Sequence, residues 1–270
     1  MADPPSKPPL LSVEQLGRTT VQVVEECGYM AALLVESLYW VLFGPFRQQP
    51  VRLPSIFSQM MTIGVGAIPI VFVLSFAVGV MLAIQGIHTL KIFGAESQVV
   101  LGIALSVTRE FGPLITSILI AGRSGSALAA RIGTMQVSQE IDALRVMGIS
   151  PVRYLVSPAL LAMLIMVPTL TFFSDLAALL GGAVYSTLEL GLTIQAYINQ
   201  TLDVLEVDDV MQGLIKSLVF AAIIAMVGVT NGFNVTGGAE GVGRATTRAV
   251  VLSILYIVLA DMVFTYFLNR

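Results

Sequence analysis

Long apolar runs separated by short polar connections dominate the pattern of this chain. Five of them, near residues 63–90, 99–132, 154–185, 211–232 and 249–268, approach or exceed the roughly 20 mostly apolar residues a membrane-crossing helix requires. The first lies inside a stretch, 53–90, that holds no Asp, Glu, Lys or Arg. Ahead of them, residues 13–46 behave differently. Glu14, Gln15, Arg18, Gln22, Glu25, Glu26 and Glu36 interleave there with Leu16, Val21, Val24, Met30, Leu33, Leu34 and Leu38. That mixture predicts an amphipathic helix lying in the membrane interface, with Tyr39 and Trp40 at headgroup depth, or alternatively a soluble helical lead-in. Residues 1–12 are proline-rich and polar, lack the charged-then-apolar pattern of a secretory signal, and read as a disordered tail. The expectation is an all-α integral membrane protein: tail, interfacial helix, then a transmembrane domain over 47–270.

Composition agrees. Hydrophobic residues make up 56% of the 270, charged residues 11%, and mean hydropathy is +0.88. Soluble domains carry about 25% charged residues, so this chain lacks the polar surface to face water. A net charge of −3 gives no footprint for nucleic acid. One cysteine, Cys27, and one histidine, His88, exclude a disulfide framework and a multi-Cys/His metal site, and they leave His88 as the one candidate base for nucleophilic chemistry. No catalytic or metal site is expected.

The distribution of cations orients the chain. Lys7, Arg18, Arg47 and Arg52 precede the first span, Arg123, Arg131, Arg145 and Arg153 surround the connection after the second, and Arg244 and Arg248 lie between the fourth and fifth. The loop after the third span carries Glu189, Asp203, Glu206, Asp208 and Asp209 and no cation. Basic residues mark the cytoplasmic side, which predicts an internal N-terminus and an external C-terminus.

Charges within the spans are the candidate chemistry. Arg109 and Glu110 sit side by side well inside the second run, Asp175 in the third, Lys216 in the fourth and Asp261 in the fifth. A lone charge at bilayer depth costs about 2.5–3.5 kcal/mol on insertion scales, so such residues face a protein interior or a wet cavity. Neighbours on a helix point about 100° apart, so Arg109 and Glu110 need partners on different spans. Interhelical pairs that hold the bundle, a polar path, or a headgroup site all fit. Downstream, Gly122-x-x-x-Ser126 and Gly125-x-x-x-Ala129 permit close helix contact, either within the chain or at a homodimer seam.

Between the second and third spans, Val137, Ile141 and Leu144 recur at helical spacing, with Gln139, Glu140, Asp142 and Arg145 on the other faces. This predicts a short amphipathic helix near 136–147, ended by Gly148 and kept from continuing by Ser150-Pro151. It is either a docking element for a separate protein or a helix resting on the lipid surface. The run GGAEGVGRATTR, 237–248, has the glycine spacing of a phosphate loop. Arg244 replaces its lysine, Ala245 removes the metal-binding hydroxyl, and no strand precedes it. It is read instead as a short turn between membrane helices, with Thr246 or Thr247 capping the last one.

Three stretches, TREFGPLITSILIAGRSGSALAARIGTM, EIDALRVMGISPVRYLVSP and GGAEGVGRATTRAVV, resemble in this order segments of the MlaE/YrbE permeases, the membrane subunits of MCE-type ABC transporters of bacteria. The similarity runs from about Leu16 to the C-terminus. The resemblance implies a homodimeric permease of the bacterial inner membrane, working with cytoplasmic ATPase subunits, a periplasmic MCE-domain ring and often a STAS-domain protein. Such assemblies move lipid, usually phospholipid, between inner and outer membranes. ATP and magnesium would be bound by the partner ATPase, with no cofactor in this chain. The helix near 136–147 would be the coupling helix, with Gln139, Glu140, Asp142, Leu144, Arg145, Met147 and Gly148 meeting the ATPase. The region 13–46 would be the family's elbow helix. Arg109, Glu110, Lys216 and Arg244 would hold a lipid head or latch a gate, with tails against the first and fifth spans.

Two rivals remain. An ion-coupled secondary transporter would use Glu110, Asp175 and Asp261, but no internal repeat is visible. A membrane-embedded lipid-modifying enzyme would have to rely on His88.

Overall fold

The computed structural model describes residues 13–44, 51–95 and 98–268, and these fold almost wholly as helix with no strand among them. The tail 1–12 lies outside the described residues. Helix α1 spans Val13–Phe43, α2 Leu53–Ile63 and α3 Ile68–Ile92. A long rod follows, built of α4 (Val99–Ser106), α5 (Gly112–Ile120) and α6 (Ser126–Val137), joined by π-type turns at Val107–Phe111 and Ala121–Gly125. Next come α7 (Glu140–Val146), a third π turn at Val152–Val156, α8 (Ser157–Leu190), α9 (Ile194–Val204), α10 (Val207–Phe233) and α11 (Gly238–Leu268).

Among the described residues, six runs are long and apolar enough to cross a membrane: Val24–Phe43, Leu53–Ile92, Val99–Val137, Val152–Leu190, Val207–Phe233 and Gly238–Leu268. The addition to the five expected spans is the second half of α1, the region read from sequence as interfacial. The anchors of α1 help to locate it. Glu26 pairs with Arg248 near the start of α11, Ser37 bonds Ser157 at the start of α8, and Arg153 stacks over the Trp40 ring at 5.4 Å. Successive crossings put the starts of α8 and α11 at the same end of the bundle, so both ends of this stretch of α1 meet that end.

The first apolar run is broken. Gly64-Val65-Gly66 and Pro69 interrupt hydrogen bonding, separating α2 from α3 by one 3₁₀ turn. In a membrane the freed carbonyls need donors, and Arg123 Nη1 supplies them, reaching Thr62 O at 3.3 Å and Ile63 O at 3.4 Å. Two boundaries differ from expectation for local reasons. The acidic loop after the third span folds as α9, capped by Thr193, whose hydroxyl accepts from the Ala196 amide. The glycine run 237–248 is not a turn: α11 begins at Gly238, and Thr246 and Thr247 donate back to Gly243 O inside the helix rather than capping it.

Packing relies on small residues. Helix α3 buries Val71, Ser75, Gly79, Ala83 and Ile87, a strict four-residue stripe, against α8. Ser75 and Ser174 hydroxyls bond across this seam at 2.7 Å. A Cβ on Gly79 would lie 1.8 Å from Ala178 O, and one on Gly181 would lie 2.1 Å from Phe76 O, so the two backbones touch. On the other side, Gly228 and Gly232 of α10 approach the carbonyls of Gly125 and Ala129. The Gly125-x-x-x-Ala129 face therefore packs inside the chain, while Gly122 stays open. Helix α11 buries only the narrow stripe Gly241, Ala249, Ser253 and Ile257. Its remaining side chains are half-buried or exposed.

Replacing Gly79 by Ala would force α3 and α8 apart. The expected cost in thermal or denaturant unfolding in micelles is about 1–3 kcal/mol. Gly102→Ala, where a Cβ meets nothing within 4 Å, should be neutral or slightly stabilising.

Candidate functional site: a charged cluster shared by three spans

One face of α10 presents Asp209, Gly213 and Lys216 at helical spacing toward the π turn Val107–Phe111. Gly213 makes the contact possible, since a Cβ there would sit 2.2 Å from Thr108 O. The extra residue in the π turn shifts the rod's register locally, a device often found at functional positions. Arg109 and Glu110, adjacent in sequence, reach different partners as their 100° separation requires.

Arg109 Nε donates to Asp209 Oδ1 at 2.7 Å. The other oxygen of Asp209 accepts from the Glu206 amide at 3.0 Å, within a reciprocal capping box that starts α10. Two turns deeper, Lys216 Nζ donates to Glu110 Oε2 at 2.6 Å and to Thr265 Oγ1 at 3.1 Å, and pairs with Asp261 Oδ1 at 3.0 Å. The Thr265 hydroxyl also lies 3.1 Å from Glu110 Oε1. Lys216 is 1% exposed, whereas the Arg109 and Glu110 side chains remain about one-third exposed. Lys216 lies nine residues into α10, or about 14 Å at 1.5 Å per residue, so the cluster sits below the surface of the bundle.

Lys216, Glu110 and Arg109 thus come together as a group, joined by Asp209, Asp261 and Thr265. From sequence, Asp209 is one acid of an external loop; the signal for its role is the unmet need of Arg109 for a carboxylate on another span. Thr265 has no signal in the sequence. Arg244 does not join them: it is exposed at the opposite end of the bundle, 3.8 Å from Glu240 one turn back. Asp175 is buried on α8 against Gly112, and its Oδ1 has no hydrogen-bond partner among the described residues.

At the opposite end, α7 covers Glu140–Val146, shorter than the expected 136–147. Residues 136 and 137 complete α6, and Gln139 turns the chain at φ +60°. Gly148, at φ +73°, closes it, with the Ile149 amide bonding Leu144 O and the Gly148 amide bonding Arg145 O. Ile141 and Leu144 are buried, so Leu144 anchors α7 to the bundle and cannot belong to its outer face. Glu140, Asp142, Ala143, Arg145, Val146 and Met147 point out, Val146 being 89% exposed.

Removing one partner from a buried ion pair leaves an uncompensated charge, at about 3–5 kcal/mol. Lys216→Met is expected to lower stability by roughly this amount in micelle unfolding. The triple variant Lys216→Met, Glu110→Gln, Asp261→Asn should recover most of the loss.

A profile of the Permease MlaE family matches residues 56–267. A probable ABC transporter permease protein of Rickettsia typhi is 34% identical over 262 residues, covering 97% of this chain and 99% of that one. The intermembrane phospholipid transport system permease protein MlaE of Haemophilus influenzae is 30% identical over 230 residues, 84% of this chain and 88% of its own. The chloroplastic protein trigalactosyldiacylglycerol 1 of Arabidopsis thaliana is 37% identical over 210 residues, 78% of this chain and 60% of that one. With the charged cluster and its helices inside the matched region, this chain belongs to the MlaE family of ABC transporter permeases.

Proposed function

We propose that this chain is the membrane subunit of an ABC transporter that moves phospholipid between the inner and outer membranes of a bacterium, driven by a separate ATPase gripping α7. The observation that carries this reading is the placement of the partly open Arg109–Glu110 pair beside bare apolar helices. Helix α5 touches both α3 and α11. Ile70, Phe72, Val73, Leu74 and Met81 of α3, and Leu255, Val258, Leu259 and Met262 of α11, are exposed. Charges one-third exposed at bilayer depth are costly against lipid tails. A cavity closed by a second copy of the chain, with acyl chains on the apolar walls and a headgroup at Arg109 and Glu110, satisfies both surfaces at once. Lys216, with carboxylates on two helices, then holds the cavity's floor in register.

The energy would enter at α7. Its two anchoring residues face the bundle and leave Val146 and Met147 bare beside acidic Glu140 and Asp142. An exposed apolar pair on a seven-residue helix suits a protein groove. Glu140, Ala143 and Gly148 are similar to the docking loop of ABC importers, although the spacing departs from it. The three anchors of α1 at this same end support an elbow helix lying along the cytoplasmic interface, with the N-terminus inside. The periplasmic ring and a STAS-domain partner belong to the same reading through the family alone.

The two halves of this reading separate experimentally. Arg109→Ala with Glu110→Ala should cut phospholipid transfer by the assembled transporter at least tenfold, the effect of about 1.4 kcal/mol, with ATPase co-purification unchanged. Unchanged transfer removes the pair from the cargo path. Val146→Asp with Met147→Asp should abolish ATPase co-purification while the unfolding temperature of the permease stays as it was. Retained ATPase would rule out α7 as the grip. Turnover of lipid by the chain alone would favour the enzyme reading.

A further inference from the structure

Helix α1 does not seal against α10 and α11. A groove of about 370 Å³ runs between them, walled by Met30, Leu34, Ala222, Ile223, Met226 and Tyr256 and almost wholly apolar. Groove-lining positions on α10 advance from Val219 through Ile223 to Val227, then continue on the same face as Thr230 and Asn234. Those last two line an adjoining hollow of about 470 Å³, shared with Glu25, Glu26, Tyr29 and Arg248. Over the 11 residues from Val219 to Thr230 of α10, about 16 Å, the walls change from hydrocarbon to polar. The polar part lies at the end of the bundle where α8 and α11 begin.

Three observations specify what fits. The first is that order of surfaces, apolar toward the bundle's middle and polar toward its end, which matches one leaflet of a bilayer. The second is Thr230. Its side chain lines the hollow, the residue is 4% exposed, and its hydroxyl lacks a hydrogen-bond partner among the described residues. Buried hydroxyls are nearly always paired, and a small rotation about χ1 would turn this one from behind the wall toward the hollow. The third is the mixture of sign. The Arg248 guanidinium is held by Glu26, with Glu25 on the same wall and Arg244 lining the next hollow together with Arg248. A net-anionic headgroup meets two carboxylates there, while a zwitterion satisfies both signs.

We propose that this groove is a binding site for a zwitterionic glycerophospholipid carrying a primary ammonium, the phosphatidylethanolamine type, taken from the leaflet at the α7 end. One acyl chain lies along Ile223 and the two methionines Met30 and Met226, whose flexible thioethers adapt to a mobile tail. The phosphate meets Arg248 and accepts from the Thr230 hydroxyl, and the ammonium meets Glu25 and Glu26. The site needs only that the chain sits in a bilayer and is independent of whether cargo passes Glu110. It also lies on a different flank, bounded by α1 instead of α3.

The test uses the full-length protein in nanodiscs containing phosphatidylethanolamine, phosphatidylcholine or phosphatidylglycerol, each with a photoreactive diazirine at the same acyl position. Crosslinks are mapped by mass spectrometry. Labelling should fall on the peptides holding Met30 and Met226, with the ethanolamine lipid favoured about threefold, the size of a partly exposed ion pair. Ala31→Trp fills the groove from an exposed position of α1 and should cut that labelling about tenfold while leaving labelling of α3 unchanged. Glu25→Gln should erase the preference over phosphatidylcholine. If Ala31→Trp lowers the unfolding temperature, Ala222→Phe fills the groove from the opposite wall. Equal labelling by all three lipids, or labelling indifferent to both filling variants, overturns the proposal. So does a groove without lipid because residues 1–12, a second copy or another protein covers it.

Discussion

A single buried ammonium sets the arrangement of half this bundle. Lys216 is nearly inaccessible at the start of the apolar stretch of α10, and its charge is tolerable only with carboxylates in contact. No single neighbouring helix supplies both. Glu110 comes from the rod α4–α6 and Asp261 from α11, so the three spans must meet at one level. Gly213, one turn from Lys216, provides the room by letting α10 rest on the Thr108 carbonyl. Charge creates the demand for contact, and a missing Cβ lets the helices satisfy it. The same pairing of polar demand with small-residue approach recurs at Ser75–Ser174 beside Gly79.

The backbone imposes a second constraint. Departures from α-helical bonding expose carbonyls, and arginines stand at each of these π turns. Arg109 lies in the first, Arg123 in the second, and Arg153 in the third. Arg123 caps the broken end of α2, and Arg153 stacks on Trp40 and so fastens α1 to the start of α8. An arginine carries five donors in a fixed fork, enough to serve carbonyls and a neighbouring group together.

The spans were legible because an apolar run of about 20 residues matches the thickness of a bilayer and little else. The demand of Arg109 and Glu110 for separate partners followed from helical geometry. What escaped were features decided by three-dimensional context. Asp209 looked like one acid of an exposed loop because its cap on α10 and its contact with Arg109 depend on how α10 docks. Leu144 looked like part of an outward surface, since periodicity identifies an apolar stripe but not what covers it. Residues 238–248 looked like a turn because glycine usually ends helices. Here α11 passes so close to the Thr236 carbonyl that a side chain at Gly241 would collide with it. Arg244 stays apart from the buried charges, at the end of the bundle where the connection between the fourth and fifth expected spans lies, as the cation distribution has it.

The charged cluster and α7 lie at opposite ends of one continuous structural element. From Glu110 to Val137 the rod is about 40 Å long at 1.5 Å per residue. A helix is stiff along its axis, so a displacement at α7 reaches Glu110 with little loss unless the rod yields between them. It departs from α-helical bonding at two places, the π turn that bears Glu110 and the one that bears Arg123. Arg123 ties the second to the end of α2, so sliding or rotation there would carry the broken first span with it. The first turn meets Lys216, which has Asp261 on α11 as a second carboxylate whenever Glu110 withdraws. In this structure the ammonium holds both acceptors at once, so it links the rod to α11 directly. Under the proposed transport reading, Lys216 is therefore the place where motion arriving along the rod would pass to α10 and α11.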